Sequence, residues 1–236
     1  MNKILIITKH ELFACLRSPL AYIVLMVTTV VFNIFFFMII DQNREASLRE
    51  VFLVMEFMFV FLVPLVTMRI FAQEKSSGTM EFLLTTPTSA GTLVMGKYLG
   101  TLAFFSLMLA PAFVYYLIIE CFSSPDRAAI LTGYFGVWLE GAMFLAVGIL
   151  TSSWTKSQTM AALTSYAILF FLYFSMSFIS YVSGPMEQAV RHIATLSHLE
   201  NFAVGVITTA DMIYYVSIIV FCLYLTRLSI TTRIWQ

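Results

Sequence analysis

Three groups of residues have types and spacing suited to chemistry. Gly91, Gly96 and Lys97 in "GTLVMGKY" satisfy most of the phosphate-loop pattern. In that pattern backbone amides cradle phosphates, a lysine reaches them and a following Ser or Thr hydroxyl holds magnesium. Position 98 is Tyr, no β-strand pattern precedes Gly91, and no apolar strand ending in Asp follows to supply the partner magnesium ligand. The stretch is therefore not read as a nucleotide site. Glu56 and Glu140 form the second group, because each interrupts a long apolar run. An ionised group at the centre of a bilayer costs on the order of 2.5 to 3.5 kcal/mol on insertion scales, so both are expected to face protein or water. Glu56, near the start of its run, is read as solvated at the outer surface or else as a cavity or helix-contact residue, and Glu140, deeper, as a cavity or helix-contact residue or a structural hydrogen bond. The third group is His198 with Glu200, two ligands that make no metal site without a third, so no metal is expected. There is no H-E-x-x-H, no pair of intramembrane His and Asp and no G-x-S-G, so catalytic residues are not expected either.

The elements that position these residues follow from composition. The 236 residues are 60% hydrophobic and 11% charged, with a mean hydropathy of +0.91, which excludes an ordinary soluble domain. Six apolar runs approach or reach the roughly 20 helical residues that cross a hydrocarbon core: 20–40, 51–68, 98–119, 128–150, 159–182 and 212–226. The last has a short uncharged core that Arg227 lengthens by snorkelling. The runs are continuously apolar rather than alternating, which argues against a β-barrel. The expected fold is an all-α polytopic membrane protein with six transmembrane helices.

Basic residues set the orientation. With the N-terminus inside, Lys3, Lys9, Arg17, Arg69, Lys75, Lys97, Lys156, Arg227 and Arg233 lie inside, against Arg44, Arg49, Arg127 and Arg191 outside. Both termini are thus expected in the cytoplasm, and no cleaved signal peptide is expected because the first run is long enough to span. Cys15, Cys121 and Cys222 fall at different depths and are expected to remain unpaired. Residues 1–17 read as an interfacial helix ended by Ser18 and Pro19, residues 69–97 as a cytoplasmic segment, and residues 183–211 as an outer-face loop of two short helices, one dipping into the membrane.

Within 69–97, Gly78 and the group Met80 to Leu84 predict a short helix with Glu81 in its first turn, stopped at Thr86 and Pro87. Ser89 then caps the helix that continues into the third span. Glu74, Lys75 and Glu81 are expected on its exposed side and Phe82 on its buried side. Pro64 and Pro111 are expected to kink spans two and three, and Gly133, Gly136, Gly141 and Gly148 to permit close contacts around span four. The 14 Met residues are scattered through apolar spans, which favours packing over copper binding.

The stretch "RIFAQEKSSGTMEFLLTTPTSAGTLVMGKYLG" resembles the signature between the second and third helices of type-2 ABC transporter permeases. "RSPLAYIV", "GILTSSWTKSQ" and "FAVGVITTADMIYYVS" agree, and the likeness is greatest to the short six-helix branch with the gliding-motility and nitrous-oxide-reductase-maturation permeases. The resemblance implies a single permease domain over 1–236, coupled to a separate ABC ATPase, two copies of which bind ATP and magnesium, so that this chain carries no cofactor. Glu74, Lys75, Gly78, Thr79, Glu81, Phe82 and Pro87 match the positions that contact the ATPase. It also implies pairing with a second permease, identical or related, in the bacterial inner membrane, and export as the direction. Nucleic acid is not an expected partner. Two alternatives stand: mechanical action on an accessory protein at the outer face, and a structural membrane subunit that transports nothing.

Overall fold

The computed structural model describes residues 3–43, 47–80, 88–123, 125–181 and 184–232, and there the apolar runs are helices. Six are long and apolar enough to cross a membrane: Pro19–Gln42, Arg49–Ser76, Ala90–Phe122, Arg127–Trp154, Gln158–Ile179 and Thr209–Thr232. The chain is an all-α polytopic membrane protein, as its composition predicts. A helix satisfies its own backbone groups where lipid offers no partner, and all the spans but the fifth, which stops at Ile179, run past their apolar runs at both ends. The sixth continues six residues beyond the expected 226 and contains Arg227.

The first helix, α1 (Lys3–Arg17), is followed after Ser18 by α2 (Pro19–Asn43). Proline suits the first helical position because its missing N–H would have had no partner there. Then come α3 (Arg49–Thr67) and the single-turn α4 (Ala72–Ser76). Ser89 caps α5 (Ala90–Leu109), its hydroxyl accepting the Thr92 N–H at 3.2 Å. Pro111 sits in a 3-10 turn, Ala110–Ala112, that separates α5 from α6 (Phe113–Phe122), whereas Pro64 lies within α3 without ending it. Next are α7 (Arg127–Trp154), capped by Asp126, and α8 (Gln158–Phe174), which runs into a second 3-10 segment, Ser175–Tyr181. Two short helices, α9 (Pro185–Ile193) and α10 (Thr195–Ala203), precede the final α11 (Thr209–Thr232).

The axis of the bundle is α7. Its most apolar window is 89% buried, against 22–56% for the other five spans, and it packs on α3, α5, α8, α10 and α11. Small residues make that possible. A Cβ built on Gly141 would lie 2.0 Å from the Phe105 ring, and one on Gly148 would lie 2.1 Å from the Thr67 hydroxyl. On the outward faces of the bundle Ile23, Met26, Phe171 and Phe221 are exposed, a distribution that suits lipid rather than water. Helix α10 does not lie on the surface: Leu199 and Phe202 are fully buried, with Phe202 seated against Gly136 of α7.

Thr67 is itself fully buried and donates to the Val63 carbonyl at 3.0 Å, so it has little freedom to move aside. Gly148→Ala should therefore lower thermal stability by about 1–3 kcal/mol through overpacking, more than the roughly 1 kcal/mol that Ala gains over Gly in a helix. A thermal-unfolding midpoint in detergent equal to or above that of the parent would contradict this close α3–α7 contact.

Candidate functional site

At the end of the bundle where α4 lies, the chain must turn from α3 into α4, which leaves the first N–H groups of a five-residue helix without intrahelical partners. A serine from another helix supplies them. The Ser152 hydroxyl, in the last turn of α7, accepts the N–H groups of Phe71 and Ala72, both at 3.1 Å, and donates to the Met68 carbonyl at 3.1 Å. One residue on, the Ser153 carbonyl is among the unpaired acceptors at the end of α7. The Lys75 amine donates to it, and so does the Ser229 hydroxyl of α11, at 3.2 Å. A cation is favourable there because the carbonyl ends of a helix carry partial negative charge. One turn of α7 thereby ties α4 to α11.

Lys97, in the second turn of α5, is the other anchor. Its amine donates to Glu11 of α1 at 2.9 Å, to Glu74 of α4 at 2.7 Å and to the Ile70 carbonyl at 3.2 Å, which uses all three of its donors. It also lies 5.4 Å from the centre of the Phe71 ring. Lys97 is 4% exposed, so removing one partner would leave uncompensated charge in a buried place. Helix α1 reaches the cluster because Gly96 and Gly100 let it lie close along α5: a Cβ on Gly96 would meet Ile7 at 2.6 Å, and one on Gly100 would meet the Glu11 Cβ at 2.7 Å. The "GK" that mimics a phosphate loop thus supplies a helix contact and an ion pair. Beside the cluster a half-open cavity of about 540 Å³ is lined by His10, Arg17, Arg69, Gln73 and Ser77, and Arg69 donates to the Ser18 hydroxyl.

Helix α4 ends at Ser76 with Ser77 as its cap, followed by Gly78 with φ of +73°, a conformation that side chains resist. The Ser77 hydroxyl donates to the Gln73 carbonyl at 2.9 Å and the Thr79 hydroxyl to the Glu74 carbonyl at 3.3 Å, so the turn is closed by its own side chains.

The expectation that Glu74 and Lys75 stand on an exposed face is corrected. Lys75 is 8% exposed and Glu74 is half-buried, because each has a partner on a neighbouring helix. The outward face consists of Gln73, Ser76, Ser77 and Thr79, with Gly78 half-buried among them. Glu81, Phe82 and Pro87 lie outside the described residues. Glu11, Ser152 and Ser153 carry no mark as site residues in the sequence pattern, and Lys97 is marked there only by its likeness to a phosphate loop. The serines belong to "GILTSSWTKSQ", whose hydroxyl-rich end of an apolar span was the available signal.

At the opposite end, the expectation of a solvated Glu56 also fails. Glu56 is fully buried in α3, where it accepts a hydrogen bond from the Thr195 hydroxyl of α10 at 2.9 Å. Glu140 of α7 is fully buried as well, and the two carboxyl groups lie within hydrogen-bonding reach of each other. His198 pairs with Asp211, 2.5 Å between Nδ1 and Oδ1, rather than with Glu200, and its ring stacks on Tyr214 at 4.1 Å. Asp211 also accepts from Asn201 at 3.0 Å and Thr208 at 2.6 Å, so these groups fasten α10 to the start of α11. Among the described residues no group of three or more His, Cys, Asp or Glu is placed to hold a metal ion.

Comparison with protein families matches residues 10–226 to the family described as ABC-2 family transporter protein. Comparison with curated proteins gave no match.

Two outcomes follow from the Lys97 cluster. Lys97→Met should cost about 3–5 kcal/mol by stranding the carboxylates of buried Glu11 and half-buried Glu74, and adding Glu11→Gln and Glu74→Gln should restore much of it; equal thermal midpoints for parent and single variant would refute the cluster's role. Burial, with the Glu11 charge adding to it, pushes the Cys15 thiol up to about 12. The reactive thiolate is therefore scarce below that pH and grows only as pH rises towards it. Maleimide at neutral pH should label exposed Cys121 and spare Cys15, until Lys97→Met loosens α1; fast labelling of Cys15 in the parent would show that α1 is not seated on α5.

Proposed function

This chain belongs to the ABC-2 family of transporter proteins, and from that premise we propose how its parts serve transport. It is the membrane-spanning permease subunit of an ABC transporter. The α4 end faces the cytoplasm of a bacterial inner membrane, with both termini on that side. A separate ATPase, in two copies, docks through residues 74–87 and binds ATP and magnesium. The permease pairs with a second copy or a related chain, and the complex exports its substrate.

The observation that carries this reading is the anchoring of α4. An element that receives a push must not bend before it transmits, and α4 is a single turn whose start is capped by α7. Its lysine is held by the end of α7 and its glutamate by α5. Displacement of the outward face therefore passes to the buried axis of the bundle as a rigid-body movement. A second reading, mechanical action on an accessory protein at the far face, draws on α9, where Met186 and Ile193 are exposed beside an Arg191–Glu187 ion pair.

The test is affinity purification of the chain from its native membrane in mild detergent, with an ATPase assay of the eluate. A soluble ATPase should co-purify and be lost from a Thr79→Arg, Glu81→Lys variant whose thermal midpoint is unchanged. An eluate without ATPase even after crosslinking, or a variant that holds it equally well, would overturn the docking assignment.

A further inference from the structure

Glu56 and Glu140 meet at the interface of α3 and α7 with no exposed surface between them. Of their four carboxyl oxygens, one accepts from Thr195, and the other three are buried without a hydrogen-bond partner among the described residues. Two carboxylates facing each other are both acceptors, so neither can satisfy the other unless one carries a proton. Like charges at this separation and out of water also oppose joint ionisation.

Among the described residues the neighbours supply no compensating cation. The titratable groups near enough to act electrostatically on the pair are Glu200 of α10, Tyr173 of α8, and Tyr214 and Tyr215 of α11. His198 of α10 is engaged by Asp211. From α5 the Tyr98 hydroxyl donates to the Ala142 carbonyl at 3.3 Å, and Lys97 is held by its two glutamates at the other end of the bundle. From α2, Tyr22 and Asp41 are both exposed.

We propose that Glu56 and Glu140 share a single proton, forming a proton-binding site at the contact of spans two and four beneath α10. The proton lies between one oxygen of each residue, so that one carboxyl donates and the other accepts, and Thr195 donates to the Glu56 side. This arrangement gives the facing oxygens a hydrogen bond and leaves one negative charge where two would stand. It also connects the site to α10: Thr195 is in the first turn of that helix, so the ionisation of the pair and the seating of α10 depend on each other. The proposal rests on the carboxyl geometry and not on ATPase docking.

The experiment is infrared spectroscopy of the purified full chain in lipid nanodiscs at neutral pH, reading the C=O stretch of protonated carboxylic acids and its downshift in D2O. The parent should show such a band, and Glu56→Gln with Glu140→Gln together should abolish it while the chain stays folded, since amides replace the pair with neutral groups of the same shape. Glu140→Asp serves as a second variant, which should keep the band at an altered frequency because the proton then bridges a longer gap. Absence of the band in the parent would overturn the proposal, as would its persistence in the double glutamine variant. A requirement for sodium or potassium in place of the band would put a metal cation at the pair and equally overturn it.

Discussion

Within a bilayer, nothing replaces a hydrogen bond that the protein fails to make, and the architecture of this chain follows from that constraint. Backbone groups are satisfied by helices, but side chains and helix ends need partners from other segments. The polar residues within or beside the spans are accordingly gathered onto neighbours. Lys97 takes two glutamates and a carbonyl, Ser152 caps a helix to which it does not belong, and Tyr134 donates to the Ala112 carbonyl where the 3-10 turn leaves an acceptor open. These contacts hold helices together where lipid contributes no hydrophobic drive between them.

Both polar centres engage the same helix. Glu140 and Ser152 of α7 are twelve residues apart, about 18 Å at the helical rise. Between them α7 is buried on nearly every side, with Gly141 and Gly148 admitting Phe105 and Thr67 into direct contact with its backbone. Close packing of this kind resists bending. On the proposed readings, a movement delivered to α4 and a change of charge beside α10 act on one stiff element, at its last turn and at its middle.

Lys97 shows how an alternative use of a residue is ruled out by position. An exposed amine following glycines is free to meet phosphate, whereas this one has its donors committed to Glu11, Glu74 and Ile70. The glycine before it serves helix approach, since Ile7 occupies the space that a side chain would need. A pattern of residue types states what chemistry is available; only the surrounding contacts say whether it is used.

The six spans, the break at Ser18 and Pro19, the Ser89 cap and the small residues of span four were legible in the sequence, because hydropathy, proline geometry and capping are local properties read within one segment. The family was legible too, through a run of matching residues between the second and third spans. What the sequence could not disclose was which polar residues meet. Glu11 and Lys97 are 86 positions apart, Lys75 and Ser153 are 78, and Glu56 and Thr195 are 139. Their pairing depends on how helices pack around α7, which is decided by the fit of ridges and small residues over the whole bundle. For that reason Lys75 and Glu56 read as surface groups from their neighbours in the chain, and only the tertiary structure turned them inward.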